Sequence, residues 1–467
     1  MDDQTMQIIK NEFKNSADFV VKEVEIAGTA AFLCFYSTMI DAEAVNKQLR
    51  LLEDRVDKGA NGWGSSASTS AEAFHKDKLV TAICEGSAVL IFPKSNLMLE
   101  IKAIKVPERS PDEPVNEQVV RGMHQGFVEN FSSNIGLIRN KMKRPDLVVE
   151  SFAMERTVSK LNIVYLADQA APEVVQEVRE RLSNMPNKEF YSSGQLEDYI
   201  EDRILSPFPQ FLTTERPDRV TYNLLEGKVA IFTDSSPTTL LGPVNLFSFY
   251  ESPDDYTSRV LVGSFYRLVR LLAFFLAILL PAFYISVMSF HSEILPVELT
   301  TQVKSSVKDI PYPPIFEALL LELFIELIRE ASIRLPQPIG QTVAIVGGIV
   351  IGDAIVSAGL ASNQMVIVVA MTAIAGFVVP SPELNMVIRM LRFPFMILAA
   401  TFGFLGMLIG TLILFVHLLN LSSLNQPYLS PVIPFDPTRF KDVFFRVPYF
   451  RPDRQQPFFR LGGKKAK

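Results

Sequence analysis

One carboxylate, Asp353, stands in the middle of the otherwise uncharged stretch Gln341–Ala361. A lone carboxylate among apolar residues is costly against lipid, which makes it a functional candidate. At a helical advance of about 100° per residue, Val346, Val350, Asp353 and Ser357 form one stripe. Two chemistries fit that stripe. In a packed bundle, Asp353 hydrogen-bonds a neighbouring helix and the valines are ordinary core. If copies of the helix surround an aqueous path, the valines form an apolar gate and the carboxylates a cation-attracting ring. A second face carries Gly348, Gly352 and Gly359 as helix-packing candidates. Gly348 and Gly352 have the Gly-x-x-x-Gly spacing that admits a close neighbouring helix.

A second group of charges lies just upstream. Glu322, Glu326, Arg329, Glu330 and Arg334 share one arc of Pro314–Leu335, opposite Leu320, Leu321, Phe324, Leu327, Ile328 and Ala331. This predicts an amphipathic helix that lies in an interface, re-enters the membrane or lines water, with Glu330 and Arg334 paired four apart. The remaining chemistry is sparse. Cys34 and Cys84 sit in apolar stretches and read as small buried hydrophobes. His75 and His124 have no ligand-spaced partners, and Arg121–Gly126 lacks the strand–turn–helix context of a phosphate loop. Glu215, Arg216, Pro217 and Asp218 read as a salt-bridged turn between strands, with a partner-docking corner as the alternative. No catalytic constellation, metal-ligand set or cofactor motif emerges, so neither an enzyme nor a cofactor is expected.

The elements that must position these residues fall into two halves. The chain has 467 residues, 48% hydrophobic and 21% charged, with a mean hydropathy of +0.21. Residues 1–266 carry 28 Lys+Arg against 39 Asp+Glu, whereas residues 267–467 carry 17 against 12. An acidic soluble half is therefore joined to a membrane half, and the acidity argues against nucleic acid. The soluble half predicts two α/β subdomains, 1–145 and 146–262. In the first, Val20–Ile26 and Ala30–Ile40 read as strands and Asp41 opens a helix. Gly59–Ser70 reads as a loop, Gly86–Phe92 and Leu97–Ile104 as a hairpin, and a long helix follows Pro111–Val115 to about Lys143. In the second, strands are expected at Leu147–Phe152, Leu161–Leu166, Phe190–Tyr191 and Val229–Thr233. Helices are expected at Pro172–Asn184 and Ser193–Ile204.

The membrane domain, 263–420, predicts four spans at about 271–290, 341–361, 365–380 and 393–419. A tail, 421–467, is basic: Asn420–Lys467 holds nine Lys+Arg against three acids. The positive-inside rule puts that tail in the cytoplasm. The N-terminus, Met1-Asp-Asp-Gln, lacks the regions of a signal peptide, so the soluble half is also expected there. An even number of spans follows, which leaves Arg389 and Arg392 on the far side.

The motifs together resemble the A subunit of the GerA-type spore germinant receptors, the nutrient sensors of endospore-forming bacteria. The resemblance runs from about Val119 to Pro431. It is carried by Asn134-Ile-Gly-Leu-Ile-Arg139, Ser206-Pro-Phe-Pro209, Glu215-Arg-Pro-Asp218, Gly227-Lys-Val-Ala-Ile-Phe-Thr-Asp-Ser-Ser-Pro237 and Ser252-Pro-Asp-Asp-Tyr256. It continues through Phe290-His291, Pro311-Tyr-Pro-Pro-Ile-Phe-Glu-Ala318, Glu326-Leu-Ile-Arg-Glu-Ala331, Val346-Gly-Gly-Ile-Val-Ile-Gly352, Arg389, Arg392-Phe393 and His417-Leu418. Met123 stands where the family usually has proline after Arg-Gly. The resemblance implies a multi-pass subunit of the spore inner membrane, with both termini cytoplasmic. Its implied partners are a transporter-like B subunit, a lipoprotein C subunit, membrane lipid and further copies of itself, as a pentamer. It implies a channel whose opening releases monovalent cations and starts germination, and it favours the pore reading of Val346, Val350 and Asp353. A secondary transporter component and a non-conducting scaffold are the alternatives.

Overall fold

The computed structural model describes residues 12–14, 16–26, 28–57, 69–93, 95–104, 124–152, 161–185, 193–234, 236–252, 254–255, 258–296 and 310–446, with Ile9, Pro114, Glu117 and Glu298. Two five-stranded antiparallel sheets precede a helical bundle.

The first sheet contains β1 (Phe19–Ile26), β2 (Thr29–Tyr36), β3 (Thr69–Ala73), β4 (Ser87–Phe92) and β5 (Leu97–Lys102), in the order β1-β2-β4-β5-β3. Alternation along each strand sends Leu33, Phe35, Leu90 and Ile101 to one face and Cys34, Tyr36, Val89 and Ile91 to the other. Helix α1 (Ala42–Asp57) covers the first face, and α2 (Lys76–Cys84) covers the second. Asp41 opens α1 as expected, its carboxylate accepting the Glu43 and Ala44 amides at 2.9 and 3.2 Å. The expected loop ends early, because Thr69–Ala73 pairs with β5; residues 59–68 lie outside the described residues. Cys34 and Cys84 are buried free thiols. Burial raises them to about 12 and about 11, which leaves them inert at neutral pH.

The second sheet contains β6 (Leu147–Phe152), β7 (Leu161–Leu166), β8 (Leu212–Thr214), β9 (Val229–Thr233) and β10 (Thr239–Gly242), in the order β6-β7-β9-β10-β8. Helices α3 (Phe131–Lys141) and α6 (Pro217–Leu225) cover one face; α4 (Pro172–Ser183) and α5 (Ser193–Ile200) cover the other. The expected long helix to Lys143 begins only at Phe131, where Asn130 accepts the Ser133 amide and caps it; residues 124–130 are not helical. The strand expected at Phe190–Tyr191 lies outside the described residues.

Both sheets thus share one strand order. Asp18 precedes β1 and Asp146 precedes β6, and their carbonyls accept from Ser37 and Ala167, each at 2.9 Å. Helices α2 and α6 each end in Glu-Gly, with Gly86 at φ +90° and Gly227 at φ +87°, and lead into the third strand of the sheet order. The N-terminal half is one architecture used twice.

Arg139 joins the two copies. It projects from α3, is 2% exposed, and donates to both Asp18 carboxylate oxygens at 2.6 Å and to the Leu147 carbonyl at 3.2 Å. Its guanidinium carbon lies 3.6 Å from the Tyr36 ring centroid. Gly136, one turn earlier, is required there because a side chain would meet the Thr38 carbonyl at 3.0 Å.

Among the described residues the bundle has six helices: α7 (Val260–Phe290), α8 (Pro314–Arg334), α9 (Gln337–Ser357), α10 (Asn363–Val378), α11 (Pro382–Phe402) and α12 (Phe404–Leu419). By length and composition, α7 and α11 are long and apolar enough to cross a membrane. The span expected at 393–419 is two helices, because Gly403 takes φ +59° and reverses the chain. Beyond that turn Gly406 backs onto the Leu398 carbonyl, where no side chain fits. Residues 314–334 form one helix of the bundle, α8. Helix α8 packs one face against the bundle, burying Glu317, Ala318, Leu321 and Glu322, while Leu323, Leu327 and Ile333 stay exposed.

The segment after α12 returns to the second sheet. Leu424 enters the core on one face of that sheet, and Tyr428 enters the core on the other. The Tyr428 hydroxyl donates to the Pro209 carbonyl at 2.8 Å, and Ser423 Oγ donates to Gln210 at 2.6 Å. Arg139→Ala leaves Asp18 buried without its counter-charge and should cost about 3–5 kcal/mol. Urea denaturation of the full-length protein, compared with an Asp18→Leu/Arg139→Met pair, checks this, since the apolar pair should recover most of the loss.

Candidate functional site

Helix α9 carries the Asp353 stripe and is held on one side only. It follows α8 through a tight reversal, where a side chain at Gly340 would come within 2.6 Å of the Ser332 carbonyl. Further along, Gly347 faces Ile328. Away from α8 the helix is bare. Val346 and Val350 are 53% and 59% exposed, and Asp353 and Ser357 are exposed with them. A side chain built at Gly348 or Gly352 would meet nothing within 4 Å. The third expected packing glycine has a different task. Gly359 lies beyond the helix at φ +66°, and its amide donates to Val356 as the helix closes. The expected span to Ala361 therefore stops at Ser357, because the chain enters the left-handed region at Gly359.

The five charged residues of α8 do not share one environment. Glu322 is 1% exposed and accepts from Arg392 of α11 at 2.5 Å; Arg392 also donates to the Ala277 carbonyl of α7 at 3.0 Å. Glu326 accepts from Arg389 at 2.6 Å. Arg329 lies with its guanidinium carbon 4.7 Å from the Phe377 ring centroid of α10. Only Glu330 and Arg334 are exposed, and they pair with each other at 2.5 Å. A guanidinium in an apolar bundle requires a counter-charge, so Arg389 and Arg392 of α11 are packing partners of α8. Sequence reading missed that pairing. Its signal was the Arg389/Arg392 spacing, which matches Glu326/Glu322 on an antiparallel helix. It also missed Glu317, 1% exposed, whose carboxylate accepts the Ser362 amide at 2.8 Å between α9 and α10.

Glu215–Asp218 forms a corner between β8 and β9, with Pro217 at the first turn of α6. Arg216 is 1% exposed and holds Asp218 through two hydrogen bonds of 3.1 and 2.7 Å, while donating to the Glu117 carbonyl at 3.1 Å. The Glu215 carbonyl accepts from Phe127 at 2.8 Å. Arg219 pairs with Glu117 and reaches the Ser248 and Glu251 carbonyls. Four residues past Glu251, Asp255 is fully buried and takes Arg270 of α7 at 2.6 Å and Arg267 at 3.3 Å. The corner therefore connects the second sheet to the first bundle helix.

At the opposite side of the junction, His417 Nε2 lies 2.9 Å from Ser206 Oγ. Glu201 accepts the Gln210 amide at 3.3 Å, and Glu197 accepts the Phe211 amide. Burial, with the charges of Glu383, Glu201 and Asp198, raises Glu197 to about 8; burial foremost raises Glu201 to about 7. Among the described residues, no group of three or more His, Cys, Asp or Glu could hold a metal ion.

The family model described as Bacillus/Clostridium GerA spore germination protein matches residues 7–457, and the chain belongs to that family. Spore germination protein A1 of Bacillus subtilis (strain 168) is 36% identical over 453 residues, covering 95% of this chain and 93% of its own. Spore germination protein B1 of that strain is 40% identical over 380 residues, 80% of this chain and 79% of its own. The chain is also 37% identical over 462 residues to the same strain's membrane protein YfkQ, covering 96% of this chain and 90% of that one. Among solved structures, it is similar to the N-terminal domain of the A subunit of the Bacillus megaterium spore germinant receptor GerK3. That likeness has 28% identity and a TM-score of 0.39, and covers 51% of this chain and 92% of that chain. These names are of germination and membrane proteins, and none is of an enzyme.

Glu322→Gln should destabilise the bundle by about 3–5 kcal/mol by stranding Arg392, whereas Glu330→Gln should change stability by less than about 1 kcal/mol. Thermal unfolding of the two detergent-solubilised variants separates them. A carboxyl whose folded pKa is raised binds its proton more tightly folded than unfolded. The stability it contributes is complete below about 4.5 and is lost as pH rises towards about 8 for Glu197 and about 7 for Glu201. Melting temperature should therefore fall between pH 5 and pH 8, and Glu197→Gln should flatten that fall.

Proposed function

We propose that the chain is the A subunit of a nutrient-responsive spore germinant receptor, and that copies of it close into a ring around a cation channel. The bare face of α9 carries this reading. One copy leaves Val346, Val350, Asp353 and Ser357 exposed, beside two glycines with open space above them. In a ring, Gly348 and Gly352 admit the adjoining helix. Val346 and Val350, one turn apart, then form an apolar constriction that gates by excluding water, and Asp353 supplies a carboxylate ring that attracts monovalent cations. Five copies is the stoichiometry proposed. Nutrient recognition is assigned to a transporter-like B subunit, with a lipoprotein C subunit as the third partner. Opening the ring releases cations from the spore and starts germination.

The proposed site is the spore inner membrane, with both termini in the cytoplasm. Six crossings are proposed in place of four, with α8 and α9 counted as a hairpin. The return of Leu424 and Tyr428 to the second sheet supports an even number, because the chain leaves the soluble units at α7 and comes back to them after α12. The domain limits at 145, 262 and 420 belong to this proposal.

Potassium release from spores carrying Val350→Ala tests the gate. Without nutrient, the variant should leak faster than wild type, and deletion of the gene should abolish the leak. Normal retention, with normal protein level and nutrient response, would remove the stripe from the gate. Lost nutrient response without leak would favour a transporter component or scaffold.

A further inference from the structure

Where α8, α10 and α11 meet near the soluble units, three arginines share two carboxylates. Arg392 is neutralised by Glu322, and Arg389 by Glu326. Arg329 lies among the same charges, with Arg389 as its foremost charged neighbour. Among the described residues it makes no ion pair or hydrogen bond, and its guanidinium carbon lies 4.7 Å from the Phe377 ring centroid. The Nε of Arg389 is buried and also without a partner. One positive charge is left over, with two guanidinium groups side by side.

The depth of this corner follows from the α11–α12 hairpin. Arg389 and His417 stand equally far from the turn at Gly403, and His417 bonds to Ser206 of the second soluble unit. Arg389, and Arg329 beside it, are therefore at the level where bundle gives way to soluble protein. The corner opens sideways. Phe377 lies against Arg329, and Met386 and Met390 stand three residues before and one after Arg389 on α11; all three are exposed apolar side chains. A guanidinium at interfacial depth with an apolar rim suits an anion that carries hydrocarbon below it.

We propose that Arg329, flanked by Arg389 and backed by Phe377, binds the phosphate of an anionic phospholipid in the leaflet next to the soluble units. The phosphodiester supplies the missing negative charge and two free oxygens for the guanidinium edges. The acyl chains lie along Phe377, Met386 and Met390. A free phosphate would gain the charge pairing but would leave that apolar rim uncovered. The proposal rests on reading the bundle as membrane-spanning.

The test reconstitutes the full-length protein in nanodiscs of phosphatidylcholine containing a minor fraction of phosphatidylglycerol. The lipid retained after mild detergent extraction is then quantified. Wild type should retain phosphatidylglycerol above its bulk fraction. Arg329→Gln should lower that enrichment about fivefold, the worth of one interfacial arginine. Arg329→Lys, which keeps the charge, should hold most of it, and Arg334→Gln should leave it unchanged. Equal enrichment in Arg329→Gln and wild type overturns the proposal. So does displacement of the lipid by inorganic phosphate, which marks a free-anion site. A change in oligomer size in Arg329→Gln with lipid retention unaltered also overturns it, assigning the arginine to a second copy of the chain. Incorporation into pure phosphatidylcholine nanodiscs reports membrane insertion separately, so failure there counts against the spanning reading rather than against the lipid site.

Discussion

The bundle is organised around a positive charge that cannot leave. Arg392 is 2% exposed amid apolar helices, and a guanidinium there persists only if its charge and its hydrogen bonds are met. Glu322 meets the charge, and the Ala277 carbonyl takes a further hydrogen. Those two partners lie on α8 and α7, so one side chain fixes three helices against each other. Without this pair, α8 would be an amphipathic helix free to lie at an interface, as its charge pattern suggests. With it, the charged arc turns inward to α11, and the reversal at Pro336 carries α9 back along the outside of α8. The bare face of α9 is a consequence of where Arg392 sits.

The same rule governs the N-terminal half. Arg139 with Asp18 joins the two sheets, Arg216 with Asp218 and Glu117 builds the corner before α6, and Arg270 with Asp255 fixes the start of α7. Each is a guanidinium held against a carboxylate at a seam. Such pairs add little net stability compared with apolar residues of the same shape, but they penalise any other arrangement of the seam. Apolar packing supplies the continuity. The core of the second sheet runs without a break from Phe232 and Leu241 through Phe249 into Ala273, Ile278 and Met396 of the bundle. The first sheet has its own cores and is attached through Arg139 and Gly136.

Sequence patterning made the elements legible and hid their partners. Strand alternation and proline or aspartate at helix starts placed β1, β2, β4–β7, α1 and α4. The family resemblance was legible in motifs whose physical roles appear only in three dimensions: Arg139 as a seam, Arg216 as a corner, Arg392 as a counter-charge. Three features were hidden. The repeated sheet architecture left Asp18-Phe-Val-Val21 with Asp146-Leu-Val-Val149, and Glu85-Gly86 with Glu226-Gly227, as its short sequence echoes, because buried positions accept any apolar residue of suitable volume. The break at Gly403 was masked by uninterrupted hydrophobicity on both sides. The inward turn of Glu322 and Glu326 could not be seen on their own helix, since the arginines that draw them in lie about 65 residues later.

These constraints define which part of the bundle can move as a unit. Helix α9 touches α8 near its start through Gly340 and Ser332, and in its middle through Gly347 and Ile328. Just past its end, Glu317 in the first turn of α8 accepts the Ser362 amide. The two helices are thus tied along their whole length, and a displacement of α8 carries α9 with it. What restrains α8 in turn is the pair of ionic contacts to α11, which begins beside the soluble units. Arg389 lies in the first half of α11 and Arg392 at its middle, so a shift of the second sheet reaches α8 through charges that tolerate little change in distance. A path from soluble unit to Asp353 therefore needs no flexible linker: it runs through α11, two ion pairs and one tightly packed hairpin.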